Sequence, residues 1–433
     1  MLAAAPLPAQ TPLRLSLGDA VQMASGKAPV VAVAALRTDE ADARVRQARA
    51  ALLPSLSLGG SWLNRTFNSK SLGIDFSFPS PSGPVSLPEL IGPFNYYDAH
   101  LSASQTLFDW SSVARVRAAS AQADGSRAEQ GVTVEGSATT AALAYLRAVR
   151  AKASVAARQA DSSIAAELVT LAQAQKAAGV SAALDVTRAR AQLVTAEGLL
   201  LVARNQLDRG RIDVARALGL DPAAPLVLTD TLAASLGVAA VPATRDSGVA
   251  LALANRPDLR SEVARGAAAR QARSAIRAER LPRLELAGDY GSNGRTVPSA
   301  IATRDLTLQV TLPILDGFRR EARASEQDAL IRESEVREAD LRRQIAAEVD
   351  AALLDLRSAE AQEQVAAEQL RLAGDELAQS RERFKAGVAG NIDIINAQAS
   401  LIRARDTDID ARFAAALAQI TLARAAGVAR TLH

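Results

Sequence analysis

Four short segments of the chain alternate between apolar and polar residues. In the first of them Leu56, Leu58 and Trp62 share one parity, and serines dominate the other. A period of two predicts β-strands that have one apolar and one polar face. The predicted strands cover about residues 55–63, 97–108, 283–291 and 304–315.

Two much longer segments, 111–177 and 318–385, contain no proline. Since proline costs about 3 kcal/mol in a helix interior, each segment favours one long helix. Leu370, Leu377 and Phe384 recur seven residues apart, which is the spacing of coiled-coil packing. We therefore expect two long helices that pack against partners along their whole length.

A glycine-containing break follows each predicted long helix. Gly179 lies in the first break and Gly387 in the second, and a helical pattern resumes after both. Each long helix is therefore predicted to end in a tip, from which a second helix returns. The predicted tips are 178–184 and 386–392, and the predicted returning helices are 185–218 and 393–426.

The two halves of the chain show the same order of predicted elements. One constant offset superposes Pro29 on Pro257 and Pro54 on Pro282. A smaller offset superposes the two tip glycines, because the first half carries a longer insertion at about 63–97. We expect an internal duplication in which each copy has a helix, two strands, a long helix, a tip and a returning helix. The predicted parts are an N-terminal segment (1–14), a first repeat (15–218), a linker (219–245) and a second repeat (246–428), with the initial helices over 26–53 and 246–281.

Aromatic residues are concentrated in and beside the predicted strands. The chain has only 8 Phe, 2 Trp and 4 Tyr, and all but Tyr145, Phe384 and Phe413 lie in these regions. Rings at strand ends are typical of a membrane-interface girdle, whereas a small aromatic core beneath a soluble sheet is the alternative. The candidate interface residues are Trp62, Tyr97, Phe108, Trp110, Tyr290 and Phe318.

Four strands cannot close a membrane barrel by themselves. An open sheet edge is not tolerated in lipid, and the smallest closed barrels have eight strands. Two chains would supply eight strands and three chains twelve, and the strand arithmetic leaves both open. No apolar run is long enough for a helix to cross a bilayer.

The composition excludes several kinds of chemistry. Cysteine is absent and the only histidines are His100 and His433, which leaves no disulfide, thiol nucleophile or His-rich metal site. Basic and acidic residues nearly balance, at 50 and 47, and give no case for nucleic-acid binding. His100 lies on the polar face of a predicted strand, where a lumenal side chain is favoured over a catalytic base. We expect neither an enzyme nor a cofactor.

The first ten residues, MLAAAPLPAQ, are small and apolar but have no basic region before them. They fit either the remainder of a trimmed signal peptide or a disordered start. The lack of a cysteine near the beginning argues against an acyl anchor.

Several motifs resemble the outer-membrane efflux proteins of the TolC type. They are RVRQARAALLPSLSL before the first strand, ALANRPDLRSEVA in the second repeat, LPILDG before a long helix, and the tips AGVSAALDVTRARAQL and AGVAGNIDIINAQASL. The resemblance implies a mostly α-helical fold with four strands per chain. Three chains would then form a twelve-stranded β-barrel in the outer membrane of a Gram-negative bacterium, above a long periplasmic coiled-coil tunnel.

The same resemblance implies a function and partners. The homotrimer would be the exit channel of a tripartite efflux or secretion system, of the kind that confers drug resistance. It would contact outer-membrane lipid, a periplasmic adaptor protein and an inner-membrane pump. Two alternatives stay open: a soluble coiled-coil scaffold, and an exit duct for polypeptides rather than small molecules.

The resemblance also implies a site at the tips, where the adaptor would bind. The candidate contact residues are Gly179, Val180, Ser181, Gly387, Val388 and Ala389. Alternatively, the two glycines are simply the residues that end the long helices.

Asp393 and Asn396 are the candidate gate residues. In a three-fold assembly Asp393 would form a ring of three carboxylates that favours cations. It also lies in the first turn of a predicted helix, as Asp185 does, where a negative charge is favoured by about 0.3–1 kcal/mol. Some relatives carry an arginine where this chain has Ala389 and a second acid where it has Asn396. Their polar gate is therefore not expected here.

Overall fold

A computed structural model describes residues 12–72, 77–86, 88–179, 181–232, 244–386, 388 and 390–432. In chain order the helices are α1 (Leu17–Lys27), α2 (Pro29–Ala50), α3 (Trp110–Ala177), α4 (Ala183–Leu218), α5 (Arg245–Asn255), α6 (Pro257–Ala278), α7 (Arg319–Lys385) and α8 (Asn391–Ala425). The strands are β1 (Leu13–Leu15), β2 (Ser55–Asn68), β3 (Ser77–Phe78), β4 (Val85–Ser86), β5 (Leu90–Phe108), β6 (Leu226–Leu228), β7 (Arg283–Gly294) and β8 (Ile301–Thr311). The prediction of a mostly helical chain with a few strands is confirmed.

The chain divides into two compact units. The helical unit comprises Met1–Asp39, Gly125–Ala264 and Ser334–His433, as far as these ranges are described. The strand unit comprises Glu40–Asp124 and Arg265–Glu333.

The strand unit contains one antiparallel four-stranded sheet with the order β2-β5-β7-β8. Strands β2 and β5 extend well beyond their predicted ends into the insertion at 63–97, and Asn64 donates a hydrogen bond to Asn95 across them at 2.7 Å. Strand β8 ends at Thr311, earlier than predicted, because Pro313 has no N–H to donate to a ladder.

Two prolines set the starts of helices. Pro29 and Pro257 are the first residues of α2 and α6, where the missing N–H has no intrahelical partner to lose. Arg256 has an extended backbone because the residue before a proline avoids the α region. The predicted single helix over 246–281 is therefore wrong, and two helices, α5 and α6, take its place.

The helical unit has an alanine-rich core. Alanine is the most frequent residue at its buried positions, with larger side chains such as Ile345, Val349, Ile420 and Leu422 between them. Small side chains let helix backbones approach closely, so long helices gain contact along their length. Within the described residues, none of the helices has the length and apolar character needed to cross a membrane.

The predicted linker (219–245) contains a strand as well as a connection. Strand β6 pairs in parallel with β1, and the buried Tyr145 donates a hydrogen bond to the Leu15 carbonyl at 2.8 Å. Residues 233–243 of this linker lie outside the described part of the chain.

Candidate membrane surface and helix tips

The apolar face of the four-stranded sheet is not covered by the chain itself. Leu58 is 82% exposed, Leu306 is 76% exposed and Ile314, just after β8, is 86% exposed. Because a soluble sheet normally buries such a face, this surface needs an apolar partner outside the chain.

The six aromatic residues at the strand ends lie on or beside this surface. Phe318 and Tyr290 are largely exposed, Tyr97 is half-buried, and none of the six is buried. The alternative of a small aromatic core beneath the sheet is therefore wrong.

The opposite face of the sheet is polar throughout its middle. Ser55 and Ser104 share a hydrogen bond of 2.7 Å, and Ser102 donates to Asp289 at 2.8 Å. Asp289 stands directly opposite Asp305 in the ladder between β7 and β8. Like charges in that position repel unless water surrounds them, so this face is built for a hydrated environment.

His100 lies on this polar face, as expected. Its Nδ1 is 2.9 Å from an Asp98 carboxylate oxygen, and its neighbours across both ladders are Gly59 and Gly291. A Cβ at Gly291 would lie 2.8 Å from the His100 Cα, so a side chain there would clash with backbone. On the other side, a Cβ at Gly59 would lie 3.0 Å from the His100 Nε2, so this glycine makes room for the imidazole.

The turn from β5 into α3 is organised by Asp109. Its carboxylate accepts hydrogen bonds from the Ser111 N–H at 2.9 Å and the Ser112 hydroxyl at 2.5 Å, and it is 3.1 Å from Arg115. Burial alone would raise the pKa of Asp109, but these hydrogen bonds and the arginine charge hold it below the usual value. The aspartate thus stays ionised at the start of the helix, where negative charge is favoured.

The turn from β8 into α7 is organised by Arg320, which the sequence analysis did not identify. Its buried guanidinium lies 3.0 Å from Asp316 and donates hydrogen bonds to the carbonyls of Pro313 at 3.1 Å and Ile314 at 3.4 Å. Phe318 has a positive φ of 63°, which is unfavourable for a bulky side chain. The arginine holds the chain in this turn and presents the ring to the outside.

A cluster of ion pairs explains the NRPDL motif in the helical unit. Arg256 lies 2.6 Å from Asp258 and 2.5 Å from Glu348 on α7. A Cβ at Gly427 would lie 2.9 Å from Arg256 backbone atoms, and this glycine has a φ of +72°. The motif therefore joins the start of α6 to α7 and to the segment after α8.

The first tip is described except for Val180. Gly179 has a φ of +74° and its N–H donates to the Lys176 carbonyl at 3.0 Å, so it ends α3 as a left-handed residue. Ser181 is half-buried, and its hydroxyl has no hydrogen-bond partner among the described residues.

The second tip is described only in part. Gly387 and Ala389 lie outside the described residues. Val388 is 68% exposed, and its N–H donates to the Arg383 carbonyl at 3.0 Å.

The ends of the two long helices lie side by side. Gln175 of α3 donates a hydrogen bond to the Phe384 carbonyl of α7 at 3.1 Å. Leu168, Leu377 and Ile394 belong to one buried cluster just behind the tips. The two tips therefore form one continuous end of the helical unit.

Asp185 and Asp393 differ in their surroundings although both lie in the first turn of a returning helix. The Asp185 carboxylate accepts a hydrogen bond from the Ala182 N–H at 3.3 Å and so caps α4. The exposed Asp393 carboxylate has no hydrogen bond within the described residues, and Asn396 is exposed one turn further along α8.

Comparison with known proteins identifies the family. The family model described as outer membrane efflux protein matches residues 20–220 and 248–428. The chain is 26% identical to protein CyaE of Bordetella pertussis over 412 residues, which cover 93% of this chain and 82% of that protein. It is 25% identical over 417 residues to the pyoverdine export outer membrane protein OpmQ of Pseudomonas putida, covering 95% and 85%.

The fold also matches solved structures. The outer membrane protein VceC from Vibrio cholerae superposes with a TM-score of 0.75 at 20% sequence identity, covering 95% of this chain and 96% of VceC. The Campylobacter jejuni CmeC outer membrane channel superposes with a TM-score of 0.76 at 16% identity, covering 95% and 86%.

An exposed apolar sheet face and paired long helices define the class of outer-membrane channels. The chain belongs to the outer membrane efflux protein family. It is thus a channel protein and not an enzyme, and it resides in the outer membrane of a Gram-negative bacterium with a large periplasmic helical part. Family membership excludes the soluble scaffold alternative.

Proposed function

We propose that three copies of this chain form the exit channel of a tripartite efflux or secretion system. The observation that carries the proposal is the exposed apolar face of the β2-β5-β7-β8 sheet. That face suits lipid hydrocarbon, and the serine- and aspartate-lined face suits a water-filled lumen.

The open edges of the sheet support closure by association. Strands β2 and β8 each have a partner on one side only, and lipid cannot satisfy the backbone groups on the other side. Three sheets of four strands give a twelve-stranded barrel, which is wide enough to leave a pore.

The helical unit supplies the periplasmic tunnel of this proposal. Each half has two helices, two strands of the four-stranded sheet, a long helix and a returning helix in the same order, and the family model matches each half separately. Both observations support the internal duplication, with each half providing a long helix, a tip and a returning helix.

The joined tips are the proposed docking surface for a periplasmic adaptor, which connects the channel to an inner-membrane pump. Small residues near the described tips, such as Gly179 and Ser181, allow another backbone to approach, and Val388 offers an exposed apolar contact. Asp393 and Asn396 are exposed just behind the tip, where a ring of three copies would line the periplasmic entrance.

One relative bears on the class of substrate. The similarity to a pyoverdine export protein supports the export of a small, soluble compound. Such a compound would cross the outer membrane through the polar lumen and not through lipid.

The mass of the detergent-solubilised protein tests the proposal. A particle of about three protomers, together with discrete conductance steps in a planar bilayer, is the expected result. A monodisperse monomer without conductance would refute it.

A further inference from the structure

The turns that join the sheet to the long helices carry more arginines than acids can neutralise. Four carboxylates of these junctions are each held by an arginine. The pairs are Asp109 with Arg115 at 3.1 Å, Glu279 with Arg323 at 2.9 Å, Asp316 with Arg320 at 3.0 Å, and Glu321 with Arg280 at 2.6 Å.

Five further arginines of the strand unit remain at the same junctions. Arg46, Arg49, Arg117, Arg277 and Arg319 are exposed and have no carboxylate partner within the described residues. We call them the junction arginines. Since guanidinium groups stay charged at all physiological pH values, they add five positive charges to this level of each chain. Glu285 and Glu326, which have no arginine partner within the described residues, offset only part of this charge.

Exposed apolar side chains stand beside the junction arginines. Phe318 directly precedes Arg319, Leu53 follows Arg49 by one turn, and both side chains are exposed. The Arg117 guanidinium lies 5.5 Å from the centre of the Trp110 ring, a cation–π contact that keeps the charge at the end of the sheet.

This combination has a specific physical meaning at the edge of a bilayer. Apolar groups and aromatic rings enter the acyl boundary, while neighbouring cations meet the headgroups. Guanidinium groups bind phosphate with paired hydrogen bonds, and an anionic leaflet attracts basic residues at its surface. Zwitterionic headgroups offer the same phosphate but no net charge.

We propose that the junction arginines form a binding belt for the headgroups of anionic phospholipids in the periplasmic leaflet. The inference rests on the proposed function, because it requires the sheet to lie in the membrane. It assigns to the junctions a preference for one lipid class, which the exposed apolar face alone does not supply.

Trp110 offers a local reporter for the test. The chain contains only two tryptophans, Trp62 and Trp110, so Trp62→Phe leaves a single fluorophore beside Arg117. This variant of the full chain is reconstituted into vesicles of phosphatidylcholine and phosphatidylglycerol in which one lipid is brominated. Bromine quenches the ring on contact, and the lipid dependence of quenching gives the relative affinity of the site.

We expect phosphatidylglycerol to be preferred over phosphatidylcholine by roughly fivefold, which is the contribution of one arginine near an anionic surface. Added salt should reduce the preference, and Arg117→Gln should nearly abolish it, whereas Arg117→Lys should retain most of it. The matched control is Arg65→Gln. Arg65 also lies over a ring, 5.6 Å from the centre of Phe94, but near the loop end of the β2–β5 hairpin.

Two outcomes separate this inference from the proposed function. Equal quenching by both lipids, unchanged in Arg117→Gln, would overturn the anionic belt and leave the membrane-embedded sheet intact. In that case carboxylates of a second copy would be the partners of the junction arginines. Absence of quenching by either brominated lipid would overturn both proposals.

Discussion

At the scale of single residues, two aspartates at equivalent positions in the two halves of the chain differ in their hydrogen bonding. The Asp185 carboxylate accepts a hydrogen bond from the backbone at the start of its helix, whereas the Asp393 carboxylate has no hydrogen bond within the described residues. The helix-start interpretation therefore accounts for Asp185 through a hydrogen bond, and for Asp393 only through its favourable position at a helix N-terminus.

Replacing Asp393 by asparagine should weaken the cation preference of the open channel. One charge acting over about 10 Å in watery surroundings changes ion occupancy roughly twofold, so at least this change is expected in the permeability ratio. Reversal potentials in planar bilayers under a salt gradient provide the measurement. Asp185→Asn is the matched control, and an unaltered ratio in Asp393→Asn would leave that residue only its role at the start of the helix.

Glu135 is a buried carboxylate that joins α3 to the end of the chain. It accepts a hydrogen bond from the Ala429 N–H at 2.6 Å and lies 3.2 Å from Arg430. Burial raises the pKa of Glu135 above its usual 4.5, although the hydrogen bond and nearby arginines offset part of the effect. An acid with a raised pKa in the folded state favours folding most when it is protonated, so its contribution falls as pH rises through 4.5 and towards the folded value.

Glu135→Gln should therefore change the pH dependence of stability. The neutral amide avoids the burden of a buried charge, so the variant should gain stability relative to the parent as the pH is raised from below 4.5 to neutrality. Thermal unfolding followed by circular dichroism at several pH values measures this difference. Glu360→Gln, at an exposed carboxylate of α7, should show no such trend. If the stability of Glu135→Gln and that of the parent changed with pH in the same way, the argument would be contradicted.

At the scale of elements, the sheet could be predicted better than its ends. The sequence pattern identified the middle of all four strands, because apolar and polar residues alternate there. The extra residues of β2 and β5 lack that alternation and are held by cross-strand pairs such as Asn64 with Asn95, which no local pattern reveals. The break at Pro257 was readable from the sequence, since proline opens helices more readily than it continues them.

The two faces of β8 should respond differently to an added charge. Leu306→Arg with Leu308→Arg places two charges on the exposed apolar face, where each costs about 2–4 kcal/mol near the bilayer midplane. The double variant should be largely lost from the outer-membrane fraction. Thr307→Arg, on the polar face between them, should assemble normally, and equal loss of both variants would argue against a lipid-facing surface.

At the scale of the whole molecule, function depends on groups that local patterns cannot bring together. The sequence placed the two tips far apart in the chain, and the hydrogen bond from Gln175 to the Phe384 carbonyl shows that they form one end. The contacts of Arg320 were likewise not predicted. Its partners, the Asp316 carboxylate and the carbonyls of Pro313 and Ile314, lie in the LPILDG motif, but no local pattern shows which side chain folds back onto them.

A charge at the tip should uncouple the channel from its partners without harming the pore. Val388→Asp places a carboxylate on an exposed apolar position, and we expect a loss of cellular efflux of at least about tenfold, the equivalent of 1.4 kcal/mol in adaptor binding. Retention of an exported compound in whole cells measures the loss, and conductance of the purified protein should be unchanged. Val388→Ala should transport normally, and wild-type efflux by Val388→Asp would remove this residue from the docking surface.

The unpaired outer edges of strands β2 and β8 have a genetic as well as an architectural consequence. In a single subunit the outer backbone groups of those strands have no partners, so we expect subunit association and insertion into the bilayer to occur together. An allele that damages one strand therefore also inactivates mixed assemblies that contain wild-type copies. If the proposed trimer assembles by random mixing of equally expressed copies, only about one pore in eight would consist entirely of wild-type copies.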